Sequence, residues 1–138
     1  MGTAVHGKKT VVKVDNASNV LTDISNQCKN LDFNEDVDLA ESTAFQDTDK
    51  TFVVGFKDNK FTLQGNWSST LDAHLGTVLG QDATLSFELG PEGSASGKVK
   101  YTGEAYLVKF QKTGSIGAVN SFSAEFQVSG AVTRGTYA

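Results

Sequence analysis

Apolar and polar residues alternate along most of the chain, and a period of two is the signature of strands with one buried face. Residues 10–14, Thr-Val-Val-Lys-Val, read as a short strand. The turn-forming run Asp15-Asn16-Ala17-Ser18-Asn19 follows, and Val20-Leu21 begins a second short strand. From 28 to 40 the pattern lengthens. Leu31, Phe33, Val37 and Leu39 share one face, interrupted by Glu35, while Asp32, Asn34, Asp36 and Asp38 occupy the other. Residues 41–50 are polar and turn-rich, and Phe52-Val53-Val54-Gly55-Phe56 is an apolar patch in a stretch that reads as loop. From 57 to 67, Phe61, Leu63, Gly65 and Trp67 alternate with Lys60, Thr62, Gln64 and Asn66.

One segment breaks the rhythm. Leu71, Leu75, Val78 and Leu79 recur at helical spacing, which predicts an α-helix over about 69–79. Ser68 or Ser69 offers its N-cap, Ser69-Thr70-Leu71-Asp72 resembles a capping box, and Gly80 can end it in the left-handed conformation. Alternation resumes with Leu85, Phe87 and Leu89, and Gly90 to Gly97 is a loop by composition. In the long strand 98–111 the apolar set moves from Val99, Tyr101, Ala105 and Leu107 to Tyr106, Val108 and Phe110, which suggests either a bulge near Gly103 or a strand covered on both faces where it leaves the core. The last strand, 119–133, carries Phe122, Ala124, Phe126, Val128 and Val132 against Ser121, Ser123, Glu125, Gln127 and Ser129.

These elements predict a mainly β fold, an antiparallel β-sandwich or open barrel with one flanking helix. Four strands, at about 28–40, 57–67, 98–111 and 119–133, exceed the usual five or six residues. In so small a domain they would project past the core. Long regular edges invite pairing with other chains, so ordered self-assembly is the expectation.

Composition narrows this further. The 138 residues suit a single domain, and no apolar run approaches the ~18 residues of a membrane span. No signal-peptide pattern is visible, and membrane insertion is not expected. Cys28, the single cysteine, fits a reducing compartment. The net charge of −4 is uneven: residues 21–49 hold eight acids against Lys29. A solvated acidic face explains that segment, and such a face repels phosphate.

Catalytic and cofactor chemistry finds little footing. His6 and His74 are isolated and read as surface histidines, and Cys28 has no histidine at a useful spacing. Asp32, Asp36 and Asp38 form a row rather than a cage and lack the EF-hand order. The glycines of 90–97 do not make a phosphate loop, and no basic stripe or aromatic RNA-binding motif is present. The reading is therefore no enzyme, no catalytic residues, no cofactor and no metal.

Several stretches in fixed order carry a resemblance: Thr22-Asp23-Ile24-Ser25, Ala40-Glu41-Ser42-Thr43-Ala44-Phe45, Gly90-Pro91-Glu92-Gly93, Gly97 to Ala105 and Phe122 to Gly135, with the single helix after Trp67. Over about 8–137 the chain resembles the major tail tube proteins of long-tailed, siphovirus-like bacteriophages, in the short form without an immunoglobulin-like domain. The resemblance implies one tail-tube domain over 1–138, with a flexible N-terminal arm at about 1–9 and a protruding loop at about 41–57. It implies a structural virion protein that self-assembles into stacked hexameric rings, a hollow tube through which DNA passes into the host. Four strands per subunit would line the lumen, with Asp32, Asn34, Asp36, Asp38, Thr62, Gln64, Ser123, Glu125 and Gln127 as candidates. Lys60, Lys98 and Lys100 depart from an acidic lining. Phe45, Phe52, Val53, Val54 and Phe56 become candidates for the ring–ring interface. Residues 131–138 are expected to order only in the assembly. The implied partners are further copies of the chain, a tape-measure protein and a tail terminator, with genomic DNA in transit and not specifically bound. The implied place is the virion tail, after synthesis in the host cytoplasm. Two other readings stand beside it: a monomeric β-sandwich binding module, for example for carbohydrate, and the tube of a contractile injection system.

Overall fold

A computed structural model describes residues 7–138, so His6 and most of the expected N-terminal arm lie outside the described residues. After a short 3-10 turn at Gly7–Lys9, the strands are β1 (Val11–Asp15), β2 (Leu21–Asp23), β3 (Cys28–Glu41), β4 (Phe52–Asn66), β5 (Leu85–Gly90), β6 (Val99–Thr113), β7 (Ser121–Val128) and β8 (Thr133–Thr136). The helix α1 spans Ser69–Val78. All strand pairings are antiparallel, and the eight strands form one sheet in the order β2-β1-β5-β6-β7-β4-β3, with β8 also paired to β6.

The sheet curls around its apolar face without closing. Phe61 of β4 stacks on Phe126 of the adjacent β7 at 4.5 Å, yet its ring also lies 4.8 Å from Phe87 of β5, three places away in the sheet. Phe33 of β3 meets Tyr101 of β6 edge-on at 5.4 Å. These aromatics, with Val12, Val14, Leu63, Leu85, Leu89 and Leu107, make a core that α1 joins through Leu71, Leu75 and Val78. Gly103 is needed for packing: a Cβ there would lie 3.1 Å from the Phe87 ring.

The helix is capped by Ser68, whose hydroxyl accepts from the Leu71 amide (3.2 Å). The capping box expected from Ser69 is absent because Ser68 is the cap and the third helical position is therefore Leu71; Asp72 accepts from the Trp67 indole (3.4 Å). Leu79 is the C-cap rather than part of the apolar stripe, and Gly80 follows at φ +77°. Ser68→Ala is expected to cost about 1 kcal/mol in urea unfolding, with the fold retained.

Three sequence expectations are corrected. The stretch 52–57 is strand rather than loop, since Phe-Val-Val at 52–54 continues β4 and only 42–51 connects it to β3. The β6 bulge lies at Val108, between the Leu107 and Lys109 pairings with β7, and not at Gly103. The last strand stops at Val128, because Gly130 turns the chain at φ +91° and β8 then pairs with Val99–Thr102 of β6. Residues 133–137 are thus ordered within one chain. Arg134 lies over the Tyr101 ring at 5.4 Å and reaches Glu35 of β3 at 3.4 Å, and the Tyr137 hydroxyl donates to Glu88 (3.0 Å).

Candidate functional site

Antiparallel register puts directly paired residues side by side on one face. Four parallel rows result on the side of the sheet away from the core. One runs Asn30, Gln64, Ser123, Gln111, and the next runs Asp32, Thr62, Glu125, Lys109. A third runs Asn34, Lys60, Gln127, Tyr106, and the fourth pairs Asp36 with Asp58. Asp38 continues the same parity on β3, opposite the irregularity at Gly55 and Phe56. All nine polar candidates therefore belong to one continuous face spread over β3, β4 and β7.

Sequence reasoning missed Asn30, Asp58, Tyr106, Lys109 and Gln111. Asp58 has the same parity as Lys60 and was legible in principle. Lys109 and Gln111 reach this face only through the bulge at Val108, which shifts the parity of β6. Of the three lysines set against an acidic lining, Lys60 is in the patch. Lys98 precedes β6, and Lys100 lies beyond the four-row patch, its ammonium 5.1 Å over the Tyr137 ring. The face is knitted by its own amides. Asn30 donates to Asp32 (3.3 Å) and Gln64 (3.4 Å), and Gln127 donates to Asp58 (2.7 Å) and to the Asn59 carbonyl (3.1 Å).

Two free edges bound this polar sheet. Among the described residues, β3 pairs only with β4, leaving the other side of its 14 residues open. In β6, residues 101–105 pair with β5, but 106–113 pair on the β7 side alone. The four-stranded unit β3-β4-β7-β6 thus presents unpaired backbone donors and acceptors along both borders.

Beyond Glu35 and the buried Asn59 the β3–β4 hairpin leaves the core and becomes an arm exposed on both faces. An extra residue in β4 opposite Asp38 shifts the pairing so that Leu39 meets Val54 and Glu41 meets Phe52. This shift gathers Val37, Leu39, Val54 and Phe52 on one face, while Val53 lies beside Ala40 on the other. Phe45 at the tip is fully exposed and Phe56 is 88% exposed. The five apolar candidates therefore share the arm and do not fold back on the core. Val37 and Leu39, whose alternation marks them as core, join them because no second layer lies above the arm. The tip is ordered by its own bonds: Ser42 N donates to the Thr51 carbonyl (2.8 Å), and Ala44 N donates to the Asp47 carboxylate (2.6 Å).

The remaining candidates have structural roles. His74 is half-buried rather than on the surface, and its Nε2 lies 2.9 Å from the Asp15 carbonyl, fastening α1 to β1. Burial, reinforced by Asp23, pushes the Cys28 thiol up to about 12, so it stays protonated at neutral pH and is a poor nucleophile. Among the described residues no three of His, Cys, Asp and Glu gather as a metal site, and no helix is long and apolar enough to cross a membrane.

No protein-family model and no curated protein sequence matches the chain. Solved structures do. A chain from the tail of an empty gene transfer agent particle, refined with C6 symmetry, superposes with a TM-score of 0.79 at 12% identity, covering 94% of this chain and 98% of that one. The SPP1 tail tube gives 0.76 at 8% identity, over 96% of this chain and 80% of the other. A chain of the PVC extracellular contractile injection system, in its extended sheath–tube complex, gives 0.66 at 10% identity over 96% and 92%. With identity this low it is the backbone arrangement that is held in common, and this chain has the fold of tail and injection-system tube proteins.

Proposed function

We propose that this chain is a structural tail tube subunit, assembling into stacked six-membered rings around a channel that DNA traverses on its way into a host cell. The observation that carries the reading is the four-stranded sheet with a polar outer face and two open edges. When the β3 edge of one copy pairs with the 106–113 edge of β6 in the next, the open backbone groups of those eight β6 residues gain partners along part of the 14-residue β3. Repeated around a ring, this joins the sheets into one closed barrel and removes the edges. Similarity to a C6-symmetric tail supports six as the number of copies.

The polar face would then line the channel. It carries Asp32, Asp36, Asp58 and Glu125 against Lys60 and Lys109, with Asp38 at its upper end. Lys109 sits directly across from Glu125, which tempers its charge. Duplex DNA carries one charge per ~1.7 Å, so a basic wall would grip it, whereas a net acidic wall of carboxylates and neutral amides repels it at every position. Passage then requires no chemistry. The arm residues Phe45, Phe52, Val53, Val54 and Phe56 would join one ring to the next. A tape-measure protein, a tail terminator, the virion tail and synthesis in the host cytoplasm follow from this role.

Electron microscopy of the concentrated protein tests it. Hollow tubes with the β3-β4-β7-β6 polar face inward are expected. A species that stays monomeric at all salts and concentrations would instead favour a monomeric binding module. Reversing Asp36 and Asp38 to Lys should leave assembly intact and slow DNA delivery, measured as infectivity of particles carrying the variant. Normal infectivity would remove both residues from the lining.

A further inference from the structure

Bonds just outside the ladders fix which backbone groups point out of the two open edges. Trp67 N donates to the Asn120 carbonyl (2.9 Å), so odd residues of β4 bond to even residues of β7. The odd residues of β7 therefore bond to Lys109, Gln111 and Thr113, which leaves the donors and acceptors of Phe110 and Lys112 facing the open edge. Ser42 N donates to the Thr51 carbonyl (2.8 Å), so even residues of β3 bond to β4, and Leu31, Phe33, Glu35, Val37 and Leu39 face outward. Strand directions alternate across β3-β4-β7-β6, so copies related by rotation meet β6 against β3 antiparallel. Such a join must match odd β3 residues with Phe110 and Lys112. The same parity brings Lys109 and Gln111 beside the acids and amides of β3, so bonding and face polarity agree.

Closure then limits which residue meets which. Within one copy a row runs from Asp32 to Lys109. If Lys109 met Asp32 of the next copy, the rows would close level and the strands would stand upright, whereas a closed barrel tilts its strands by about 35–45°. Four strands span about 19 Å at ~4.8 Å each, so that tilt requires a step of about four or six residues per copy at ~3.3 Å per residue. Stepping toward the start of β3 would run Gln111 and Thr113 off the strand, which begins at Cys28. Toward the arm, the shorter step sets Phe110 beside the Glu35 carboxylate. The longer one sets Phe110 beside the half-exposed Val37, and Lys109 beside Asp38. It also brings Lys112 opposite Glu35, but each already has a partner in its own chain, the Phe110 ring at 5.0 Å and Arg134 at 3.4 Å, so neither selects the step.

Resting on the tube reading, we infer that neighbouring copies within a ring join with Phe110 opposite Val37, Lys109 opposite Asp38 and Gln111 opposite Asp36. Lys109 then lies between two carboxylates, Glu125 of its own chain and Asp38 of the next. An exposed ion pair adds little to the join itself. Its effect is on the channel wall, where the β6 cation is screened from passing phosphates at every subunit boundary.

Cross-strand disulfides test the step. Gln111 and Asp36 would be a pair without backbone bonds between them, where Cα atoms lie about 4.5 Å apart and a disulfide fits. A step changed by two residues moves them to about 7 Å or more, beyond its reach. In a Cys28→Ser background, Gln111→Cys is combined with Asp36→Cys in one chain and with Asn34→Cys in another, tubes are formed, and mild oxidation is followed on non-reducing gels. The Asp36→Cys chain should give a ladder ending at six copies, as in a C6 ring, and the Asn34→Cys chain little above dimer. A ladder from the Asn34→Cys chain alone, or from neither, would overturn this join and leave the tube reading standing. Unmutated protein that forms no tubes would remove both. Should the cysteine chains fail to assemble, an electron-microscopy map of unmutated tubes decides by the residue beside Lys109: Asp38 upholds the join, and any other β3 residue overturns it.

Discussion

Phe52→Asp combined with Phe56→Asp is expected to give a folded, soluble subunit that no longer forms tubes. Both side chains lie on the arm, 53% and 88% exposed, so neither supports the core. Surface substitutions of this kind change stability by roughly 0.5 kcal/mol each, up to about 1 kcal/mol on a strand where Asp is disfavoured. Thermal unfolding should therefore shift by only a few degrees. Assembly is a different matter. Buried aromatic anchors are worth about 2 kcal/mol or more apiece in an interface, and a carboxylate buried there without a partner adds its own desolvation cost. The concentration needed for tubes should rise at least about a hundredfold, which sedimentation and electron microscopy would show as loss of tubes. Tubes that persist at ordinary concentrations would take the arm out of the ring–ring interface.

The second large effect is at Phe61. Phe61→Ala is expected to destabilise the subunit by about 3–5 kcal/mol, because the emptied site is ringed by elements that cannot all collapse into it. The ring is fully buried, stacked on Phe126 at an interplanar angle of 11°, tilted against Phe87, and met edge-on by Phe33 at 6.4 Å. It therefore links β3, β4, β5 and β7 at the point where the sheet curls back on itself. For a domain of this size the melting temperature should fall by roughly 10–20 °C, measured below the concentration at which subunits assemble. Phe45→Ala provides the comparison. It removes the same ring from a fully exposed position, and its monomer should unfold within about 0.5 kcal/mol of the parent.

That contrast shows where sequence reading succeeds and where it stops. Alternation located all four long strands and sorted Asp32, Asn34, Thr62, Gln64, Ser123, Glu125 and Gln127 onto one type of face. The structure then placed them side by side. The helix was legible for similar reasons: Leu71, Leu75 and Val78 repeat at its pitch, with Ser68 and Gly80 as punctuation. Bulges were not legible in position. An extra residue at Lys29, at Gly55–Phe56 or at Val108 shifts the parity of everything beyond it, and nothing in the local residue types compels the shift to one place. The return of β8 onto β6 was hidden too, because Ser129-Gly130 permits a turn without stating where the chain goes next.

Residue order alone determined the helix, the position of the long strands and the polarity of their two sides between bulges, since these depend on spacing between near neighbours and on the steric preferences of single residues. Tertiary structure decided which strands lie next to each other, where the core ends, and that Val37, Leu39, Val54 and Phe52 face outward together. Burial depends on whether another layer covers a side chain, and that layer is contributed by segments dozens of residues away, or by another copy of the chain.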